Sequence, residues 1–266
     1  MKVLACDGIH EDGLALFRLA GWDVAVSDPI KDPAELAAAI ANVDALLVRS
    51  ATAVPASALE QAKRLRVIGR AGAGVDTIDV EAATEKGIAV MNAPDGNTLA
   101  AAEHALSLLF ALARHIPRAD AGMKAGEWPK AGLTGFELEG KKLGVIGLGR
   151  IGGTVARKAQ GIGMEVAAYD PFLPPSAAGK GSVPLKTLDD LLAWADIVTL
   201  HIPRTKETTH LLSEARLRAM KPGAYLINAA RGGLVDEAAL LRFARRRTEV
   251  RREDELGMRA QRGIGG

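Results

Sequence analysis

Lys142-Leu143-Gly144-Val145-Ile146-Gly147-Leu148-Gly149-Arg150-Ile151-Gly152 is the stretch that decides how this chain folds. A short apolar run leads into Gly-x-Gly-x-x-Gly, a helix-like segment follows, and a second apolar run ends at Asp170. That order is what a dinucleotide site requires. Gly147 permits the tight strand-to-helix turn. Gly149 lets the backbone approach a pyrophosphate with no Cβ in the way, and Gly152 lets the helix lie close on the strand. Arg150 and Ile151 open that helix, whose N-terminal N–H groups and partial positive charge favour phosphates. Asp170 follows Gly152 by 18 residues, near the spacing of about 20 for an acid that accepts from the ribose 2′-hydroxyl. A carboxylate there repels a 2′-phosphate, so the expected cofactor is NAD rather than NADP. A glycine triplet alone also marks ordinary turns. The register of strand, helix, second strand and acid separates the two readings here.

Composition sets bounds around that motif. A chain of 266 residues fits one large domain or two modest ones. Aromatic content is only 4%, while 29 glycines and many alanines suit helices packed close on a sheet. No apolar run reaches the ~18 residues of a membrane span. Met1-Lys2-Val3-Leu4-Ala5-Cys6-Asp7 carries charge too early for a signal peptide. A single cysteine rules out an internal disulfide and suits a reducing cytosol, so a cytoplasmic location is expected. Cys6 itself reads as a buried, inert thiol. The formal charge of +2 hides an asymmetry: residues 242–266 hold eight Arg against four acids, and the rest is near neutral.

Residues 1–95 read as alternating short strands (3–6, 22–26, 45–48, 67–69, 89–91) and helices (11–19, 33–40, 56–61, 80–86). Such alternation implies a parallel sheet covered by helices, with ligands at the carboxyl ends of the strands. The segments there are Cys6-Asp7-Gly8, Arg49-Ser50-Ala51-Thr52, Arg70-Ala71-Gly72-Ala73-Gly74 and Asn92-Ala93-Pro94-Asp95. A long linking helix is expected over 97–114, with Asn97 or Thr98 as N-cap. It is apolar almost all round, which predicts burial between lobes or subunits. His104 and His115 fall within it and are expected to pack there. Glycine, Trp128 and Pro129 predict a loop up to Gly140. A second set of strands (165–169, 197–201, 224–228) and helices (187–194, 213–220, 236–241) completes a nucleotide lobe over 96–241. The fold class is α/β, with two lobes built on parallel sheets.

Asn228-Ala229-Ala230-Arg231-Gly232-Gly233-Leu234-Val235-Asp236-Glu237 follows an apolar strand directly. An Arg fixed there can grip a carboxylate bidentately and polarise a neighbouring carbonyl. With this motif, the glycine loop, Tyr169-Asp170-Pro171 and Leu200-His201-Ile202-Pro203, residues 1–241 resemble the D-isomer-specific 2-hydroxyacid dehydrogenases. The resemblance implies a flavodoxin-like substrate lobe and a Rossmann lobe that binds NAD. It assigns Arg231 to catalysis. Gly147, Gly149, Arg150, Ile151, Gly152 and Asp170, together with His201, Ala229, Ala230 and Arg231, are assigned to the cofactor. A homo-oligomer is also implied. Val48-Arg49-Ser50-Ala51-Thr52, residues 69–76 and Asn92-Ala93-Pro94-Asp95-Gly96-Asn97 look most like the members that act on 3-phospho-D-glycerate. Those members oxidise it to 3-phosphooxypyruvate and so open serine biosynthesis. Arg49 and Arg70 would then face the substrate phosphate, with Ser50 beside them and Lys130 as a further cation. Gly72, Ala73 and Gly74 would cradle the carboxylate with backbone N–H groups. The plainer alternatives are ion pairs for the two arginines and an ordinary turn for the glycines.

The family pairs its Arg with a downstream glutamate and histidine that move the hydroxyl proton. The glutamate is expected about 29 residues after Arg231, where Ala260 stands, and no histidine follows. The tail after residue 241 shows no strand pattern, and its Arg and Gly bias suggests truncation or a shifted reading frame. Its interspersed acids argue against a nucleic-acid-binding tail. Lacking the next strand, the nucleotide lobe is expected to keep an unpaired edge and the tail to be protease-sensitive. Among the other histidines, His10 could start the first helix, His210 reads as exposed, and His201 reads as a structural hydrogen-bonding group. No metal site is expected, because no His, Cys, Asp and Glu cluster has ligand spacing. Besides an enzyme, of this or another 2-hydroxy acid, a non-catalytic NAD-binding module remains an open reading.

Overall fold

A computed structural model describes residues 1–128, 130, 132–174 and 183–242. The chain divides into two compact units, Met1–Thr98 and Leu99–Gly266. In the first, β1 (Lys2–Ala5), β2 (Asp23–Val26), β3 (Ala45–Val48), β4 (Val67–Arg70) and β5 (Ala89–Asn92) pair in the order β2-β1-β3-β4-β5, all parallel. The helices α1 (Glu11–Leu19), α2 (Pro33–Ile40), α3 (Ala56–Leu59) and α4 (Val80–Glu85) link them. Local chemistry fixes several starts. Asp32 accepts the Ala34 N–H and Pro33 opens α2, while Asp79 accepts the Ala82 N–H at α4. Leu36, Ile40, Leu46, Val48, Leu59 and Ile68 are fully buried between sheet and helices. Each such side chain contributes about 1.5–3 kcal/mol by leaving water.

The second unit begins with α5 (Thr98–Ala113) and α6 (Ile116–Lys124). Its sheet comprises β6 (Lys142–Ile146), β7 (Glu165–Tyr169), β8 (Ile197–Leu200) and β9 (Tyr225–Asn228), parallel in the order β7-β6-β8-β9. Between the strands run α7 (Arg150–Gly161), α8 (Leu188–Trp194) and α9 (Glu214–Ala219), and residues 237–242 are helical. The central strands β6 and β8 are almost wholly buried. Val145, Val155, Ala159 and Ile197 pack on one face of the sheet, and Leu191, Leu192, Val198 and Leu200 on the other.

Two expectations are corrected and one is refined. The loop predicted before Gly140 contains α6, which starts where His115 takes a left-handed backbone (φ 54) and Pro117 occupies the first turn. Proline is tolerated there because its missing N–H would be unbonded in any case. The helix over 97–114 is buried along one stripe within this chain. Ala102, Ala105, Leu109 and Ala113 form its buried stripe, while Leu99 is 60% and Phe110 42% exposed. Finally, His104 is exposed, and His115 lies outside α5 with its ring Nε2 3.2 Å from the Thr134 carbonyl. The expectations for the tail fall outside the described residues from 243 onward. Among the described residues, no single helix is long and apolar enough to cross a membrane.

Candidate functional site

Register brings the second sheet's motifs together. Ile146 aligns with Tyr169 and with Leu200, and Leu200 with Asn228. The segments beginning at Gly147, Asp170, His201 and Ala229 therefore leave one carboxyl edge side by side. Gly147 is left-handed (φ 89), and a Cβ there would lie 2.7 Å from the His201 carbonyl oxygen. A Cβ on Gly152 would lie 1.9 Å from the Gly147 carbonyl oxygen, so the first turn of α7 rests directly on the turn before it. Gly149 has nothing within 4 Å of its Cβ position. Unlike α2, α4 and α8, α7 has no side-chain cap at its start. The result is an open backbone cradle beside a helix N-terminus that carries Arg150 and Ile151, which suits a pyrophosphate.

Asp170 closes one side of this cradle. Its Oδ2 accepts the Leu148 N–H at 2.9 Å and its Oδ1 the Phe172 N–H at 3.0 Å. An ionised carboxylate offers about four acceptor positions, so two remain for ribose hydroxyls. His201 follows β8, and its N–H donates to the Ile146 carbonyl at 2.8 Å. Its Nε2 shares a hydrogen bond of 3.0 Å with the buried Thr199 hydroxyl. Burial pushes the imidazole down to about 4, so the ring is neutral at pH 7. Beyond β9, Asn228 clamps the loop that presents Arg231. Its Oδ1 accepts the Ala230 N–H at 3.1 Å, and its Nδ2 donates to the Arg231 carbonyl at 2.8 Å. The half-buried Arg231 donates from Nη1 to the Ala230 carbonyl at 2.8 Å.

The first sheet has its own carboxyl edge. Val48 aligns with Arg70 and Arg70 with Asn92, so Arg49, Arg70 and the loop after β5 lie on neighbouring strands. Arg49 and Ser50 are exposed. Arg70 donates from Nη1 to the Ala71 carbonyl at 3.0 Å. Its guanidinium lies over Gly72, where a Cβ would come within 2.5 Å of Nη1. Asn92 donates to the Ala73 carbonyl at 2.7 Å and Ala93 to that of Gly72 at 3.0 Å, which holds residues 72–74 as a shaped loop. Lys130 is exposed in the second unit, between α6 and β6. Sequence reasoning did not single out Asp7. This buried carboxylate takes the N–H groups of Arg49 and Thr52 and the Thr52 hydroxyl. The only local signal was a polar Asp-Gly pair at a strand's end. Among the described residues, no group of three or more His, Cys, Asp or Glu could hold a metal ion.

A cradle of this kind at the switch in strand order defines a dinucleotide-binding α/β protein. The model of the D-isomer specific 2-hydroxyacid dehydrogenase, NAD binding domain, matches residues 106–249. The chain belongs to that family, and NAD is the cofactor for which this domain is built. It is 47% identical over 240 residues to the D-3-phosphoglycerate dehydrogenase of Archaeoglobus fulgidus, covering 90% of this chain and 45% of that one. Against the enzyme of the same name from Bacillus subtilis the identity is 44%, with the same coverage of each chain. The chain thus spans about half the length of these curated relatives. Among solved structures, the TT0316 protein from Thermus thermophilus superposes with a TM-score of 0.83 at 38% identity, covering 92% of this chain and 78% of that one. D-lactate dehydrogenase from Aquifex aeolicus, complexed with NAD and lactic acid, gives 0.80 at 29%, covering 92% and 73%.

Proposed function

We propose that this chain carries the core of an NAD-dependent dehydrogenase that oxidises 3-phospho-D-glycerate to 3-phosphooxypyruvate, the step that opens serine biosynthesis. One observation carries the choice of substrate. Arg49 and Arg70 stand at the carboxyl ends of adjacent strands, next to the loop of Gly72, Ala73 and Gly74. Two cations suit a phosphorylated acid, and a simple 2-hydroxy acid does not need them. The relatives named as phosphoglycerate dehydrogenases support the same reading.

Bound NAD would supply the hydride acceptor. Residues 72–74 would offer backbone N–H groups to a carboxylate, and Arg231 a guanidinium able to grip a carboxylate and polarise a neighbouring carbonyl. Asp170 would accept from the adenosine ribose and disfavour a 2′-phosphate. The family's proton-transferring glutamate has no counterpart at position 260, which is alanine, and none of the chain's five histidines is suited to replace its histidine. A polypeptide of residues 1–266 should therefore turn over 3-phospho-D-glycerate at least ~10²-fold more slowly than a full-length relative, the low end of what acid–base catalysis contributes. Normal NADH production would overturn that part of the proposal. A homo-oligomer is also proposed, supported by the exposed Leu99, Leu108 and Phe110 of α5. Sedimentation of a monomer at micromolar concentration would refute it.

Calorimetry tests the substrate. With NADH present, 3-phospho-D-glycerate should bind at least about tenfold more tightly than D-lactate, a difference of roughly 1.4 kcal/mol. Arg49→Ala and Arg70→Ala should each erode that preference. Equal affinities in the unaltered protein would point to another 2-hydroxy acid. Failure to bind any of them would leave an NAD-binding module.

A further inference from the structure

We propose that Asp7 is the positioning residue for the phosphate-binding loop, holding residues 49–52 in the one backbone shape that lets Arg49 reach a substrate phosphate. The proposal rests on the reading of Arg49 given above. Asp7 is only 8% exposed and takes a left-handed backbone (φ 66) two residues past the end of β1. Its Oδ2 accepts the N–H groups of Arg49 at 2.8 Å and Thr52 at 3.0 Å. Its Oδ1 accepts the Thr52 hydroxyl at 2.5 Å. That hydroxyl accepts in turn the Ile30 N–H at 3.1 Å. One carboxylate therefore joins the segments that follow β1, β2 and β3 at a single edge of the sheet.

The loop consequently has two faces. Thr52 is fully buried on the inner face with Asp7, while Arg49 and Ser50 are exposed on the outer one. Three donors converge on the inner face, and only a group that accepts without donating satisfies them all. Burial alone would raise the Asp7 carboxyl, but the bonds from Thr52 and Arg49 outweigh it and hold the group below the usual carboxylate range. Asp7 is thus ionised at neutral pH, with its charge taken up by donors of the loop. Asparagine has the same volume and tolerates the left-handed region. It differs in carrying one oxygen and one NH2, so whichever way its amide turns, either the two N–H groups or the Thr52 hydroxyl meets an NH2 where Asp7 offers an oxygen. Asp7→Asn therefore isolates the acceptor from the backbone shape.

The experiment titrates the NADH-loaded protein with 3-phospho-D-glycerate and, separately, with D-glycerate. Asp7→Asn should weaken the phosphorylated ligand about tenfold, equivalent to ~1.4 kcal/mol, and leave D-glycerate and NADH within about twofold. The ratio of the two affinities is the decisive readout. A role in stability alone would lower both affinities together, and a constant ratio in a folded Asp7→Asn protein overturns the proposal. If Asp7→Asn fails to fold, Thr52→Val decides the matter, since it removes the hydroxyl with its bonds to Asp7 and Ile30 and leaves the carboxylate with both N–H groups. A fall in the ratio of about threefold is then expected, the size of the one net hydrogen bond lost between Thr52 and Asp7, and no change overturns the proposal. A wild-type protein with no preference for the phosphorylated ligand instead overturns the substrate reading itself.

Discussion

At the amino edge of the first sheet, Asp44 stands one residue before β3, accepts the Lys2 N–H at 2.7 Å and pairs with Arg64. At the same place in the second sheet, Asp196 stands one residue before β8, accepts the Lys142 N–H at 2.9 Å and pairs with Lys221. The two units are pegged alike where no ligand is expected. Their carboxyl edges are finished in different ways. The second uses glycines and an uncapped helix, so bare backbone faces the ligand. The first uses a buried carboxylate that shapes an arginine-bearing loop from beneath. Backbone N–H groups suit a pyrophosphate common to every dinucleotide. Side-chain cations on a held loop can be exchanged to change substrate while the sheet stays the same.

The largest expected effect tests the claim that the second edge is built of backbone. Gly152→Ala places a methyl group 1.9 Å from a carbonyl oxygen that has no flexible end to move. NADH binding, followed by fluorescence, should fall below detection. Gly149→Ala meets no atom within 4 Å, so it should fold and lose only about tenfold, or ~1.4 kcal/mol, as its methyl enters the phosphate path. Near-normal binding by Gly152→Ala would break the contrast.

The next effect separates the edges by pH. His201 is held neutral in the folded protein, at about 4, while the unfolded chain takes up a proton near the ordinary 6.5. Its contribution to stability is complete above about 6.5 and is lost as pH falls toward 4, to a total on the order of 3 kcal/mol. Asp7 behaves differently, because its carboxyl is held low. Its contribution is complete above the unfolded carboxylate value of about 3.9 and disappears only at more acid pH. Urea unfolding at pH 7 and pH 4.5 should show the loss, and His201→Gln should remove most of it. An unchanged pH dependence in His201→Gln would refute the assignment.

A smaller effect sharpens the cofactor side. Asp170→Asn keeps an acceptor for Leu148 and removes the charge that opposes a 2′-phosphate. The preference for NAD over NADP should narrow by about tenfold, or ~1.4 kcal/mol, in paired calorimetric titrations. Equal affinities in the unaltered protein would sink the ribose assignment.

The contrast between the edges also explains what could be read in advance. The glycine turn was legible because each glycine answers a local backbone demand that no other residue meets. Most strands and helices were legible from apolar runs and their alternation. The α6 helix was not, because glycine, Trp128 and Pro129 set the reading of that stretch, although Pro117 occupies a position where helices accept it. The buried stripe of α5 was hidden by alanines and leucines on every side, which give the sequence no preferred face. Asp7 was hidden for another reason. Its partners lie 42 and 45 residues away, and nothing in Cys6-Asp7-Gly8 announces them. Side-chain anchors across a sheet are properties of register, and register becomes visible only once the strands are paired.

Cys6 gives the first edge an internal clock. Burial, then the neighbouring Asp7 charge, push its thiol up to about 11. At pH 7 the folded state therefore holds only ~10⁻⁴ of it as the reactive thiolate. An alkylating reagent must wait for the end of β1 to part from Leu47, whose carbonyl receives the Cys6 N–H at 2.8 Å. The labelling rate of this single cysteine then counts the openings of the strand end from which Asp7 hangs, and a phosphorylated ligand held by Arg49 should slow the count.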